Sequence, residues 1–304
     1  MKYIPTRFKT LFDIDFLGRT WEYGGVTLLR AEKLYTANNY RAFLSAFRDN
    51  FPEYVYFCPF RKKEVISAPL DTVKRVYVPR ESLRSLVELG SRDSLQETTL
   101  DLVNLLSDKS GIAIQDFGVH GSIALDMYTD KSDIDIVVYG AKNFRVLERT
   151  IDVLVKTKAL TYQTKNRLDA VRHFRGRYSR KIFMYNAVRK PEEVSIEYGA
   201  LEYSRIHPLR FRCTVKDDSE AMFRPATYEI EDYKPSNTRS EISKGLMPRL
   251  VVSMIGCYRN VARKGDKIEV SGTLERAANT KTGEAFYQVV VGTGVSEEES
   301  ICPI

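Results

Sequence analysis

The spacing of apolar residues divides the chain into three textures. Up to about residue 79, the short runs "WEYGGVTLLRA" and "EYVYFCPF" are rich in aromatic and β-branched side chains and read as strands. Between them, "NNYRAFLSAFRDNF" sets Tyr40, Phe43, Leu44 and Phe47 on one helical face. This pattern predicts a small α+β module that carries no chemical motif.

From 80 to 205, helix and strand alternate. Pro79 opens a short helix, "RESLRSLVELG". Ser94 and Glu97 make a capping-box pair ahead of an apolar face of Leu95, Leu102, Val103 and Leu106, and Gly111 stops that helix. "IAIQDFGV" and "DIDIVVYG" read as strands joined through a Gly-Ser turn, and a further helix places Phe144, Leu147, Ile151, Leu154 and Val155 on one side. From 206 onward, five β-rich segments are separated by Pro, Gly, Asn and Ser clusters. They suggest a small antiparallel barrel or sandwich, the oligonucleotide-binding barrel being one form. The expected fold class is α+β: a small α+β module at 1–79, a mixed sheet with helices at 80–205 and a small antiparallel β-barrel at 206–304.

Composition narrows this little. The 304 residues are 43% apolar and 29% charged, enough for real cores and an ordinary surface, with a net charge of +7 that favours an anionic partner. The four cysteines (Cys58, Cys213, Cys257, Cys302) are scattered, with neither zinc-ligand spacing nor a disulfide framework. The first residues are too charged for a signal peptide, and no apolar run reaches the length of a membrane span. The expectation is a cytoplasmic protein without a membrane partner. Oligomeric state leaves no mark in the sequence.

The chemistry concentrates in "HGSIALDMYTDKSDIDIVVYG", His120 to Gly140. Alternation along a strand points Asp133 and Asp135 to one side and Ile134 and Ile136 to the other. Two carboxylates leaving water together lose several kcal/mol of hydration, by rough estimate, unless a cation meets them. Arginine or backbone amides are the ordinary answer. Mg²⁺ (or Mn²⁺) is the other, since it takes oxygen ligands and shares its shell with phosphate oxygens. The Gly121-Ser122 turn supports the metal, because glycine admits a phosphate to the backbone and the Ser122 hydroxyl adds a donor.

Gly-Ser followed at this spacing by Asp-Ile-Asp and Ile-Val-Val resembles the signature of the polymerase-β-like nucleotidyltransferases, in particular the uncharacterised archaeal-type members. The resemblance covers about a third of the chain. It implies transfer of a nucleoside monophosphate from an NTP to a hydroxyl, with Gly121 and Ser122 on phosphates and Asp133 and Asp135 on two metal ions. Family members often carry a basic residue where this chain has Leu125, so Lys131, beside Ser132, is the candidate for the remaining triphosphate contact. The family also implies a third carboxylate on a neighbouring strand. Glu197 in "EEVSIEYGA" is the first choice, because Val194, Ile196 and Tyr198 would form the opposite face; Glu193 and Asp169 stand behind it.

Residues 161–190 hold nine Lys or Arg against one Asp, interleaved with His173, Phe174, Tyr178, Phe183 and Tyr185. Arg172, Arg175, Arg177, Arg180 and Lys181 are the candidate nucleic-acid contacts, with an RNA 3′ end as acceptor. A clamp on the triphosphate and a solvated basic helix remain alternatives. So does a nucleic-acid-binding scaffold whose transferase domain does not turn over, or transfer to a protein or small molecule.

Overall fold

The computed structural model describes residues 3–33 and 36–304. Its contacts divide the chain into two units, 75–195 and a second formed by 1–74 with 196–304. Where three successive modules were expected, the first and last zones pack into one body.

In that body, β1 (Tyr3–Pro5), β2 (Trp21–Tyr23) and β3 (Val26–Arg30) form an antiparallel sheet with β3 in the middle. Gly24 and Gly25, both at positive φ, make the β2–β3 turn. Helix α1 (Ala37–Asn50) starts where the Thr36 side chain accepts a hydrogen bond from the Asn39 amide. It buries Phe43, Ala46 and Phe47 against Ile4, Phe12 and Leu29. Each aromatic buried this way contributes about 1.5–3 kcal/mol. The hairpin β4 (Val55–Cys58) and β5 (Lys63–Ile66) follows.

The 75–195 unit opens with α2 (Pro79–Glu88), with proline in its first turn, and α3 (Ser94–Ser110). The cap of α3 is Asp93, one residue before the expected Ser94. Its carboxylate accepts from the Leu95 and Gln96 amides, and Gln96 returns the bond to the Asp93 amide. A five-stranded sheet holds β6 (Phe117–His120), β7 (Ile134–Tyr139), β8 (Thr161–Tyr162), β9 (Arg175–Tyr178) and β10 (Lys181–Val188) in the order β6-β7-β10-β9-β8, with only β7 and β10 parallel. Strand β6 is shorter than expected, because residues 114–116 of "IAIQDFGV" coil into a 3₁₀ turn. Helix α4 (Gly121–Ala124) follows β6, α5 (Ala141–Lys156) follows β7, and α6 (Arg167–Arg172) precedes β9. The apolar face of α5 is buried through Phe144, Leu147, Ile151 and Leu154, with the Phe144 ring against Phe174 and Tyr185. Glycine at 118 lets α2 lie on β6: a methyl group there would sit 2.7 Å from the Pro79 carbonyl carbon.

Residues 196–304 supply β11 (Leu201–Glu220), β12 (Ala226–Pro235), β13 (Leu250–Ser253), β14 (Lys267–Asn279), β15 (Ala285–Val291) and β16 (Ser300–Pro303). The five expected segments all form strands. Strand β11 pairs with both β12 and β14, so the ladder runs β11-β12-β13-β15-β14 and back to β11. The β13–β15 pair is parallel and the others antiparallel. Leu209, Phe211, Cys213 and Val215 alternate inward along β11.

Candidate active site

Strand alternation does at 133–136 what the sequence implies. Ile134 and Ile136 are fully buried on one face, and Asp135 stands half-buried on the other, in register with His120 of β6 and Met184 of β10. Asp133 precedes β7 by one residue and shares that parity. The same face continues to Val137, opposite Gly118, where α2 covers it. The aspartates lie at its other end and stay half-exposed.

The Gly-Ser turn belongs to this face. Gly121 has φ +71°, and a methyl group on it would overlap the Asp135 carboxylate, whose Cγ would lie 3.0 Å away. Only glycine lets the start of α4 press against Asp135. Ser122 follows with its side chain half-exposed. On the same face, the Asn186 amide lies 3.4 Å from His120 Nε2.

Asp133 has a partner. Arg175 Nη2 on β9 stands 2.7 Å from its Oδ2. Arg175 is in register with Met184, and Met184 with Asp135, so His120, Asp135, Met184 and Arg175 form one row across four strands. The Arg175 side chain is 16% exposed, and its Nε is buried with no hydrogen-bond acceptor. The carboxylates thus meet an arginine, the ordinary answer among the two the sequence left open. Asp133 nevertheless keeps a 37% exposed side chain, which leaves its carboxylate accessible from solvent.

The other expected site residues divide. Ser132 turns its hydroxyl to the Thr129 amide at 3.0 Å, and Lys131 is exposed at the same turn, two residues before Asp133. Glu197 is not on a strand: residues 194–197 are irregular, and Val194 and Ile196 are 59% and 58% exposed instead of forming a packed face. No strand pairs with that segment, so its alternation has nothing to bury against. Glu197 lies in the other unit, exposed. Of the two fallbacks, Glu193 caps α5 by accepting from the Ala141 amide at 2.8 Å, and Asp169 is paired with Arg172. The strand that does flank β7, β10, reads Lys-Ile-Phe-Met-Tyr-Asn-Ala-Val and carries no carboxylate. Among the described residues no three acidic, histidine or cysteine side chains gather as a metal-binding group.

The basic stretch is mostly sheet, not helix. Arg172 is buried and paired with Asp169, and Arg175 turns in to Asp133, so neither presents a charge to a polyanion. Lys181 donates to the Asp130 carbonyl. Arg177 and Arg180 remain exposed at the β9–β10 hairpin, where Arg177 donates to the Gln163 side chain at 3.2 Å. Arg177 has the parity of Arg175 and so stands on the face of Asp135. The charge pattern alone suggests a surface contact for Arg175; the register across β9 and β10 makes it a partner of Asp133. Met184 and Asn186 were missed altogether, being neutral residues in an apolar run.

The Gly-Ser turn is pressed onto one of two aspartates that share a strand face. Residues 101–196 match the family model described as the nucleotidyltransferase domain, which supports a transferase of the polymerase-β-like kind in this part of the chain. The chain is also similar to an uncharacterised protein of Methanocaldococcus jannaschii, at 24% identity over 266 residues, 81% of this chain and 75% of that one. No solved structure matches it significantly. Among the described residues no helix is long and apolar enough to cross a membrane.

Proposed function

We propose that the 75–195 unit transfers a nucleoside monophosphate from an NTP to an acceptor hydroxyl in the presence of Mg²⁺ or Mn²⁺. The observation that carries the reading is the contact of Gly121 with Asp135, beside Asp133 on the same face. In this reading the acceptor oxygen attacks the α-phosphorus in line and pyrophosphate leaves. The turn amides and Ser122 hold phosphate oxygens, and Lys131 and Arg177 add positive charge near them. The paired carboxylates are the oxygen donor set that a hard divalent ion prefers, and Asp133 and Asp135 are the residues that would hold it. Bound there, such an ion supplies charge neutralisation and a lower acceptor pKa. Arg175 keeps Asp133 oriented in the meantime.

For the acceptor we favour an RNA 3′ end, supported by Arg177 and Arg180 at the exposed hairpin. We read the five-stranded ring as a barrel of the oligonucleotide-binding kind, supported by its strand order and its parallel β13–β15 pair. Its β12 carries Glu229, Glu231 and Asp232, which suits bracing better than binding a polyanion along that strand.

The test incubates the pure protein with Mg²⁺, each α-labelled NTP and total RNA. Label on RNA supports the reading, and label on protein redirects the acceptor. The carboxylate-free β10 favours one rival, a domain that holds nucleotide without transferring it. NTP binding with no label transferred to any acceptor would favour that rival.

A further inference from the structure

The body formed by 1–74 and 196–304 contains a cavity of about 740 Å³, the size that takes a nucleotide. It lies between α1, the ends of β3 and β5, the segment 254–258 after β13 and the loop 292–299 between β15 and β16. Its wall is built, not loose. Gly294, at φ +82°, packs so tightly on Tyr40 that a methyl group there would come within 2.5 Å of the ring. Arg41 holds the same loop by donating to the Gly294 and Val295 carbonyls at 2.9 Å.

The charges lining the cavity are unbalanced. Arg30, Lys33, Lys63 and Arg224 face it together with Glu32, Glu297 and Glu299. Two of those carboxylates are already engaged by main-chain amides: Glu299 accepts from Gly292 and Thr293 at 2.8 and 2.7 Å, and Glu297 accepts from Asn38 at 2.6 Å. The Arg30 Nε is buried with no hydrogen-bond acceptor, an arrangement that is costly for a charged donor unless an anion completes it. Burial, helped by the nearby Arg61 guanidinium and opposed by Glu275 and Glu299, holds the Lys63 ammonium below its ordinary pKa. Tyr40 and Tyr258 line the same space.

We propose that this cavity is a second ligand site, distinct from Asp133 and Asp135, that takes a phosphate-bearing small molecule of nucleotide size on Arg30 and Lys63. Its occupant is held by charge and shape without a divalent ion.

Transfer at the aspartate site calls for a metal, so ATP binding to the full chain is measured in EDTA, and two double variants assign it to one site or the other. Calorimetry should show one saturable ATP site, with pyrophosphate competing and inorganic phosphate weaker. Arg30→Met with Lys63→Met should weaken it about tenfold or more, as the loss of charge-assisted contacts requires, whereas Asp133→Asn with Asp135→Asn leaves it intact. Should the cavity variant fold poorly, the unaltered protein still decides. Cys257 lines the cavity and the exposed Cys302 does not, so ATP in EDTA should slow alkylation of Cys257 alone. Absence of saturable metal-free binding, or binding lost in the aspartate variant and kept in the cavity variant, overturns the proposal. Neither result bears on transfer at Asp133 and Asp135, which is read with metal present.

Discussion

Arg175 Nη2 lies 2.7 Å from Asp133 Oδ2, so one carboxylate of the pair is neutralised from two strands away. A divalent ion binding at Asp133 therefore competes with a resident guanidinium. Arg175→Met should tighten Mn²⁺ binding to the nucleotide-free protein by about tenfold, the equivalent of one interaction of about 1.4 kcal/mol. Electron paramagnetic resonance titration of free Mn²⁺ measures it, and unchanged affinity would show that the ion does not contact Asp133. Asp133 is well exposed, so the stability cost of losing the pair should stay under about 1 kcal/mol.

Gly121→Ala combines a strained φ with overlap of the Asp135 carboxylate. It should cost about 1–3 kcal/mol and abolish nucleotide binding at the site. Gly118→Ala is the control. It collides with the Pro79 backbone at 2.7 Å and should destabilise the α2–β6 packing, yet folded protein should retain nucleotide affinity. Urea melts and nucleotide titration of both variants separate strain at the site from strain in the core.

Tyr185 is fully buried, and its hydroxyl has no hydrogen-bond partner. Burial pushes its pKa well above the ordinary tyrosine value, so the ring stays neutral. Tyr185→Phe removes an unpaired polar atom and should leave stability within about 0.5 kcal/mol or raise it, unlike most core substitutions. A loss above about 2 kcal/mol in urea melts would mean the hydroxyl is bonded.

The α3 cap gives a pH signature. Burial alone would push the Asp93 carboxyl up, but hydrogen bonds from the Tyr128 hydroxyl and the Gln96 and Leu95 amides outweigh it and hold the pKa below the usual value. A carboxylate depressed in the folded state adds stability that is complete above the unfolded value of about 4 and disappears as pH falls through the folded one. Asp93→Ala should therefore cost about 0.5–2 kcal/mol at pH 7 and progressively less in acid. Parallel urea melts from pH 7 to pH 2.5 check it; a gap constant with pH would assign the loss to shape instead of charge.

Much of the site was legible because its signals are local. Alternation around Asp133 and Asp135, glycine at 121 and the apolar stripe of α5 depend on residues within one turn or one strand. Pairing is not local. Val194, Ile196 and Tyr198 alternate as a strand would, but no neighbouring strand receives them, and Glu197 fell with that inference. The same limit hides the inward turn of Arg175. Charge counting shows that a stretch is basic, whereas register turns Arg175 inward to Asp133 and the i,i+3 spacing on α6 pairs Arg172 with Asp169. The cap lies one residue earlier because Asp93 and Ser94 are both good caps, and the bonds that Leu95 and Gln96 make with Asp93 select the first.

The most direct measurement is transfer of α-labelled nucleotide in Mg²⁺ by the unaltered protein and by Asp135→Asn, a near-isosteric change that removes the charge pressed against Gly121. The site described here predicts label on the acceptor and pyrophosphate released in equal amount, both reduced at least about 100-fold in the variant, about 2.7 kcal/mol of transition-state stabilisation. Equal rates from the two proteins would contradict it, since the chemistry would then lie elsewhere in the chain.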